Sequence, residues 1–249
     1  MITKINTRKK MFEKKILNFG FLSTIDNPLL ALTLQKIYKY KLKNAFIICE
    51  RSKISFKMQE VFKERVGNYF DKYCVFTVKN KIPFFLVDSH NSNQTIKLLN
   101  KLKIDCLYNA GTLKKLNKKI LSKVKFGCIN VHPAILPKYR GASSTEWSIY
   151  NSDKIANTVH FMDENYDSGP IINIEYYKFS KITSYQDIRR KVYAKGIDLG
   201  IRTLLDIQKQ KINYKNLTYQ DKNEGIELGP ISKKKLNFMI KKVDKYGYK

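Results

Sequence analysis

Apolar residues fall in short runs separated by longer amphipathic stretches. Residues 15–21 (KILNFGF), 44–49 (NAFIIC), 82–87 (IPFFLV), 104–109 (IDCLYN) and 126–131 (FGCINV) each read as a strand, because brief apolar runs bounded by turn residues fit strands covered on both faces. Pro83 makes the third of these an edge segment. Helical spacing fills the gaps. Asn27 and Pro28 mark a helix start, as cap and first helical residue, and Leu29, Leu30, Leu32, Leu34 and Ile37 supply its apolar face. A charged amphipathic helix is predicted over residues 55–73, one from a Ser92 cap to residue 102, and a lysine-rich one ending near Ser122. Beyond residue 131 the pattern predicts a short helix over 144–150 carrying Trp147, strands over 158–162 and 170–179 around an acidic turn (DENYDSG), and a long helix capped by Thr183 or Ser184 running to about residue 211. Alternating strands and helices predict an α/β fold with a doubly wound, mostly parallel sheet. Residues 1–14 form a basic N-terminal extension, 15–211 the folded unit, and 212–249 a lysine-rich appendage too short for a separate domain of ordinary size.

Composition narrows the class. With 249 residues, 43% of them hydrophobic, the chain can bury a sizeable core. It has no apolar run of membrane-spanning length. The N-terminus is basic without an apolar h-region, so no secretory signal is expected, and Met11 is a second candidate start. Cys49, Cys74, Cys106 and Cys128 are widely spaced with no CxxC, which predicts reduced thiols in a cytoplasmic protein and no metal site. The formal charge of +27 favours phosphate-bearing partners. Its lysines are spread along the chain alongside abundant asparagine, isoleucine and tyrosine, as general compositional bias also produces.

Chemistry concentrates in residues 128–141, CINVHPAILPKYRG. Asn130 and His132 lie two apart at a strand end, so their side chains share a face. Pro133 and Pro137 then force the chain out of regular structure. A polar pair at the carboxyl end of a strand is where open α/β sheets bind ligands.

Asn130-Val131-His132-Pro133, Leu136-Pro137, Tyr139-Arg140-Gly141, His160 to Glu164 and Asp167-Ser168-Gly169-Pro170-Ile171-Ile172 together resemble the 10-formyltetrahydrofolate-dependent formyltransferases. The resemblance spans roughly residues 15–205 and implies a Rossmann-like formyltransferase fold, with 15–211 as catalytic domain and 10-formyltetrahydrofolate as cosubstrate. It also implies three catalytic residues, Asn130, His132 and Asp167. The family's Asp follows its His by about 36 residues; Asp167 follows His132 by 35, which puts a one-residue deletion in residues 151–157. An amine attacking the formyl carbonyl builds an oxyanion, to which the Asn130 amide and a protonated His132 can donate hydrogen bonds. Asp167 can support the imidazolium and receive the amine's proton.

The same resemblance sets the folate against Ala110, Gly111, Thr112 and Leu113 and against Asp163, Glu164 and Asn165, and makes Pro133, Tyr139, Arg140 and Gly141 substrate-binding. Gly111 suits close backbone approach by a flat heterocycle, though a plain turn explains it too. His160 reads as a packed or pocket-wall residue and His90 as a loop residue without a chemical part. Residues 20–26 hold a single glycine, unlike a glycine-rich phosphate loop, which argues against glycinamide ribonucleotide as acceptor. Only 38 residues follow Lys211, against the β-barrel of about a hundred residues that helps methionyl-tRNA enzymes of the family hold tRNA. By elimination the expected acceptor is the amino group of a nucleotide-linked sugar. Methionyl-tRNA, glycinamide ribonucleotide, hydrolysis of the folate, and a catalytically dead nucleic-acid-binding relative stay open as alternatives, as does assembly into a homodimer.

Overall fold

Strand β1 (Phe19–Thr24) is buried at every position because neighbours flank it on both edges and helices cover both faces. The computed structural model describes residues 15–71, 82–112, 114–221 and 223–248. Its main sheet joins β1 with β2 (Ala45–Glu50), β3 (Phe84–Val87), β4 (Cys106–Asn109), β5 (Cys128–His132), β7 (Ile155–Phe161) and β8 (Ile171–Tyr177), in the order β3-β2-β1-β4-β5-β7-β8. The first five run parallel, whereas β7 and β8 add as antiparallel strands. Helices α1 (Leu30–Lys39), α2 (Phe56–Val66), α3 (Asn93–Lys101), α4 (Lys118–Leu121), α5 (Ser144–Tyr150), α6 (Tyr185–Gln208) and α7 (Lys233–Tyr246) complete the chain with β6 (Tyr139–Gly141) and β9 (Ile226–Leu228). The expected doubly wound, mostly parallel α/β architecture is present.

Strand alternation divides the core. Phe19, Phe21, Ile47, Cys49, Cys106, Tyr108 and Ile129 pack on the α1 and α6 side with Leu32, Ile37, Ile197, Ile201 and Leu204. Leu22, Ile48, Val87, Leu107 and Cys128 pack on the other side with Leu99, Leu116 and Ile120. Cys49, Cys106 and Cys128 are free, buried thiols, and burial pushes the Cys49 thiol up to about 12; Cys74 lies outside the described residues.

Several boundaries shift for local reasons. Helix α2 begins after its Ser55 cap but stops at Gly67, whose φ of +60° ends it well before residue 73. The lysine-rich helix shrinks to one turn because the Asn117 side chain accepts the Ile120 amide and sets its start there. Ser92 and Ser184 cap α3 and α6 as expected. Asn27 does not directly precede α1; its Oδ1 accepts the Leu29 amide at 2.9 Å, and regular helix starts at Leu30.

The C-terminal segment returns over the folded unit. Strand β9 pairs with β6 in parallel, Thr218 bridges Ile171, and Met239 and Val243 of α7 share a cluster with Ile149, Ile155, Tyr185 and Ile188. Among the described residues no helix is long and apolar enough to cross a membrane.

Candidate active site

The sheet order reverses between β1 and β4, and their carboxyl ends open the crevice that such a switch point creates. Strand β5 lies next to β4, so Asn130 and His132 project at its carboxyl end. Strand β7 then runs back along β5 with His160 directly opposite Asn130. The turn leading into β8 supplies Asp167.

These four side chains form one network. Asp167 Oδ2 lies 3.2 Å from His132 Nδ1 and accepts the Gly141 amide at 3.1 Å. Its Oδ1 lies 3.6 Å from His160 Nε2 and accepts from Asn130 Nδ2 at 3.4 Å. Burial of Asp167 opposes its charge, but the adjacent His132 and His160 imidazoles outweigh that cost and hold its carboxyl well below the usual range. His132 Nε2 lies 2.6 Å from the Tyr139 carbonyl oxygen. Both its ring nitrogens face acceptors, which a doubly protonated imidazolium satisfies with two donated hydrogens. His160 Nδ1 lies 2.9 Å from the Phe161 carbonyl oxygen, so in the neutral ring Nδ1 donates there. That leaves Nε2 to accept the Asn130 amide at 3.1 Å. Asn109 of β4 donates to Asn130 Oδ1 at 3.1 Å and accepts the Gly111 and Thr112 amides at 3.0 and 2.8 Å.

His160 therefore belongs to the constellation as well as to the pocket wall that the sequence suggested for it. Its position opposite Asn130 depends on an antiparallel pairing that hydropathy alone does not specify. Asn109 also went unremarked; its signal is its place at the end of a buried strand just before Gly111. His90 lies in the turn between β3 and α3, as expected, and is buried there: its ring lies 3.0 Å from the Ile48 carbonyl oxygen and 3.2 Å from the Glu50 carboxylate.

Two cavities reach this network, and a third adjoins them at residues 111 and 112. One of about 110 Å³ is walled by Asn109, Thr112, Asn130, His160, Asp163 and Asn165, among others. A second, of about 190 Å³, reaches Asn109, Ala110, Gly111, Asn130 and Pro133. A third, of about 990 Å³, runs from Asn27 and Gly111 along α2 past Lys57, Phe62, Lys63 and Arg65. Gly111 has φ +108°, and a Cβ there would strike the Asn27 amide. The chain thus passes close against the Asn27 side chain at this residue. Glu164 is exposed on the acidic turn, where Asp163 accepts the Ser168 hydroxyl and the Asn165 amide. Leu113 lies outside the described residues.

The remaining sequence-selected side chains have structural partners. The Tyr139 hydroxyl donates to Asp153 at 2.7 Å, and the Arg140 guanidinium donates to Gln220 Oε1 and to the Asp221 carbonyl. Gly141 contributes its amide to Asp167. The described residues include no group of three or more His, Cys, Asp or Glu able to hold a metal ion.

Comparison with known proteins gives this geometry a family. Residues 28–204 match the family described as formyl transferase. The chain is 36% identical over 123 residues to the methionyl-tRNA formyltransferase of Halothermothrix orenii, covering 49% of this chain and 39% of that protein. It is 33% identical over 138 residues to the bifunctional polymyxin resistance protein ArnA of Wigglesworthia glossinidia brevipalpis, covering 55% of this chain and 21% of that one. The matches thus span well under half the length of these relatives. Among solved structures, a 4-N formyltransferase from Francisella tularensis superposes with a TM-score of 0.58 at 21% identity, covering 91% of this chain and 87% of that one. Glycinamide ribonucleotide transformylase 1 from Symbiobacterium toebii does so with a TM-score of 0.60 at 16% identity, covering 83% and 95%. With the family match spanning most of the folded unit, the chain belongs to the formyl transferase family.

Proposed function

We propose that the protein moves a formyl group from 10-formyltetrahydrofolate to a primary amine. The observation that carries this reading is the ion pair of His132 with Asp167 beside the Asn130 amide, which lines two adjoining cavities. The folate heterocycle is assigned to the smaller cavities, between residues 109–112 and the turn holding Asp163 and Asn165. Main-chain groups suit a flat ring there, and the missing Cβ at Gly111 makes room for the Asn27 amide that lines the same cavity.

When the acceptor nitrogen attacks the formyl carbon, the carbonyl oxygen becomes an oxyanion. The Asn130 amide and the His132 ring are the donors nearest to it. Each meets protein acceptors in this structure, Asn130 at His160 and Asp167 and His132 at Asp167 and the Tyr139 carbonyl. Each must turn one hydrogen from these to the oxyanion, a bond worth roughly 3–4 kcal/mol of barrier. Asp167 holds the His132 ring in orientation across 3.2 Å, and it takes the ammonium proton directly or through water. That proton must then reach N10 as the C–N10 bond breaks, which releases tetrahydrofolate and the N-formyl product.

The acceptor proposed first is an amino sugar on a nucleotide carrier. The cleft of about 990 Å³ has the size of a small-molecule site. Lys57 and Lys63 stand on its wall for phosphates and Phe62 for a base. A second reading, methionyl-tRNA, is favoured by the identity to methionyl-tRNA formyltransferases and by the charge of +27.

The deciding experiment incubates the protein with 10-formyltetrahydrofolate and, separately, amino-sugar nucleotides, glycinamide ribonucleotide and Met-tRNA, with formylated product read by mass spectrometry. Formylation of an amino-sugar nucleotide supports the first reading; formylation of tRNA alone replaces it with the second. His132→Ala should lower turnover by two to three orders of magnitude, as for a lost oxyanion donor. A variant with near-wild-type turnover overturns the mechanism.

A further inference from the structure

The turn that presents Asp167 is held from outside the region matched by the family, by a residue of the C-terminal segment. Gln220 Nε2 donates to the Asp167 carbonyl at 3.0 Å and to the Gly169 carbonyl at 2.7 Å. Its Oε1 accepts from Arg140 Nε and Nη2, both at 3.3 Å, and Arg140 Nη2 donates to the Asp221 carbonyl at 2.8 Å. One side-chain amide thus ties the turn before β8 to the strand β6 that follows the proline loop. Those two segments meet again at the carboxylate, where the Gly141 amide donates to Asp167 Oδ2. Residue 167 needs such support: Asp167 sits at φ +50°, in the left-handed region that non-glycine residues rarely occupy. The backbone around the tie is also fixed. Thr218 pairs with Ile171 through bonds of 2.8 and 3.3 Å, and a Cβ on Gly169 would collide with the Phe161 carbonyl.

We propose that Gln220 is a positioning residue of the formyl transfer site, holding the Asp167 turn so that the carboxylate meets His132 and the Gly141 amide. It touches neither substrate nor reacting atom and acts through Asp167. The inference rests on the formyl-transfer reading for its kinetic consequence but not for its structural one.

Gln220→Glu separates positioning from simple tethering. Glutamate keeps the acceptor facing the Arg140 guanidinium, so the C-terminal segment stays attached, but its carboxylate has no hydrogen to give the Asp167 and Gly169 carbonyls. Gln220→Met removes both roles at similar length. For Gln220→Glu we expect a modest fall in melting temperature, because the Asp167 and Gly169 carbonyls lose their donor. Affinity for 5-formyltetrahydrofolate should fall less than kcat, because the same turn borders the folate cavity. Its kcat should fall on the order of ten- to a hundredfold, the cost of a small misplacement at a reacting centre. Amide exchange at Gly141 should accelerate, because that amide loses its carboxylate partner. Gln220→Met should show the same losses together with a further fall in melting temperature. The proposal is overturned if Gln220→Glu keeps wild-type kcat, if Gly141 exchange is unchanged, or if folate affinity falls as far as kcat. Should the wild-type protein transfer no formyl group to any acceptor, the functional reading fails. Gly141 exchange in Gln220→Glu then still decides whether Gln220 holds the carboxylate.

Discussion

Asn109 donates its side-chain amide to Oδ1 of Asn130 across the β4–β5 pair, at 3.1 Å. That bond decides which way the Asn130 carboxamide faces: with its oxygen occupied, its nitrogen must point towards His160 and Asp167. Asn109→Asp removes the donor and lets the Asn130 amide turn over. Turnover of 10-formyltetrahydrofolate should fall about tenfold, less than for loss of an oxyanion donor itself. Steady-state kinetics beside a melting curve will separate this from a folding defect.

Asp167→Asn should keep the fold, since asparagine tolerates the left-handed backbone at this position. It should lower kcat by two orders of magnitude or more, because His132 loses the carboxylate 3.2 Å away. The substitution also carries a pH signature. The carboxyl of Asp167 is held well below the usual range in the folded protein. Its stabilising contribution is therefore complete above the unfolded pKa of about 3.9 and fades as pH falls below it. Urea titrations of wild type and Asp167→Asn should differ most between pH 5 and 7 and converge on acidification.

Glu146 is buried between two cations, with Oε1 3.0 Å from Arg65 Nε and 3.2 Å from Arg189 Nε, and it accepts the Tyr185 hydroxyl at 2.8 Å. Burial alone would push its carboxyl up, but Arg189, Arg65 and the Tyr185 hydroxyl together draw it down. Glu146→Gln strands two guanidinium groups without a counter-charge. Equilibrium unfolding should show a loss of about 3–5 kcal/mol, far larger than for removing an exposed pair such as Arg51 with Asp88.

Gly111→Ala must either displace the Asn27 amide or distort a backbone at φ +108°. A stability loss of about 1–3 kcal/mol is expected by chemical denaturation. Weaker binding of 5-formyltetrahydrofolate by calorimetry should accompany it, because Asn27 and Gly111 line the same cavity.

Much of this was legible in the sequence where the physics is local. Asn130 and His132 share a face because strand periodicity is two, and both do meet at Asp167. Ser92 and Ser184 announced their helices through capping chemistry. What depended on pairing at a distance was not legible. His160 enters the network only through the register of β7 on β5, and Gln220 only because a polar segment with no hydropathy pattern folds back on the Asp167 turn. Antiparallel addition of β7 was equally silent, since a strand buried almost throughout looks alike whichever way it runs. Gly67 stopped a helix that charge and amphipathicity alone would have continued.

Placing β1 in the middle of the sheet also has a consequence for synthesis. Its partner β2 (Ala45–Glu50) follows closely, but the strand for its other edge, β4, ends at Asn109. Until those later residues leave the ribosome, the emerging N-terminal half carries an apolar strand with one open edge, the kind of surface on which nascent chains misassociate. Lysines on the helices made in that interval, including Lys36, Lys39 and Lys63, give the unfinished chain a net positive charge and hence mutual repulsion between copies.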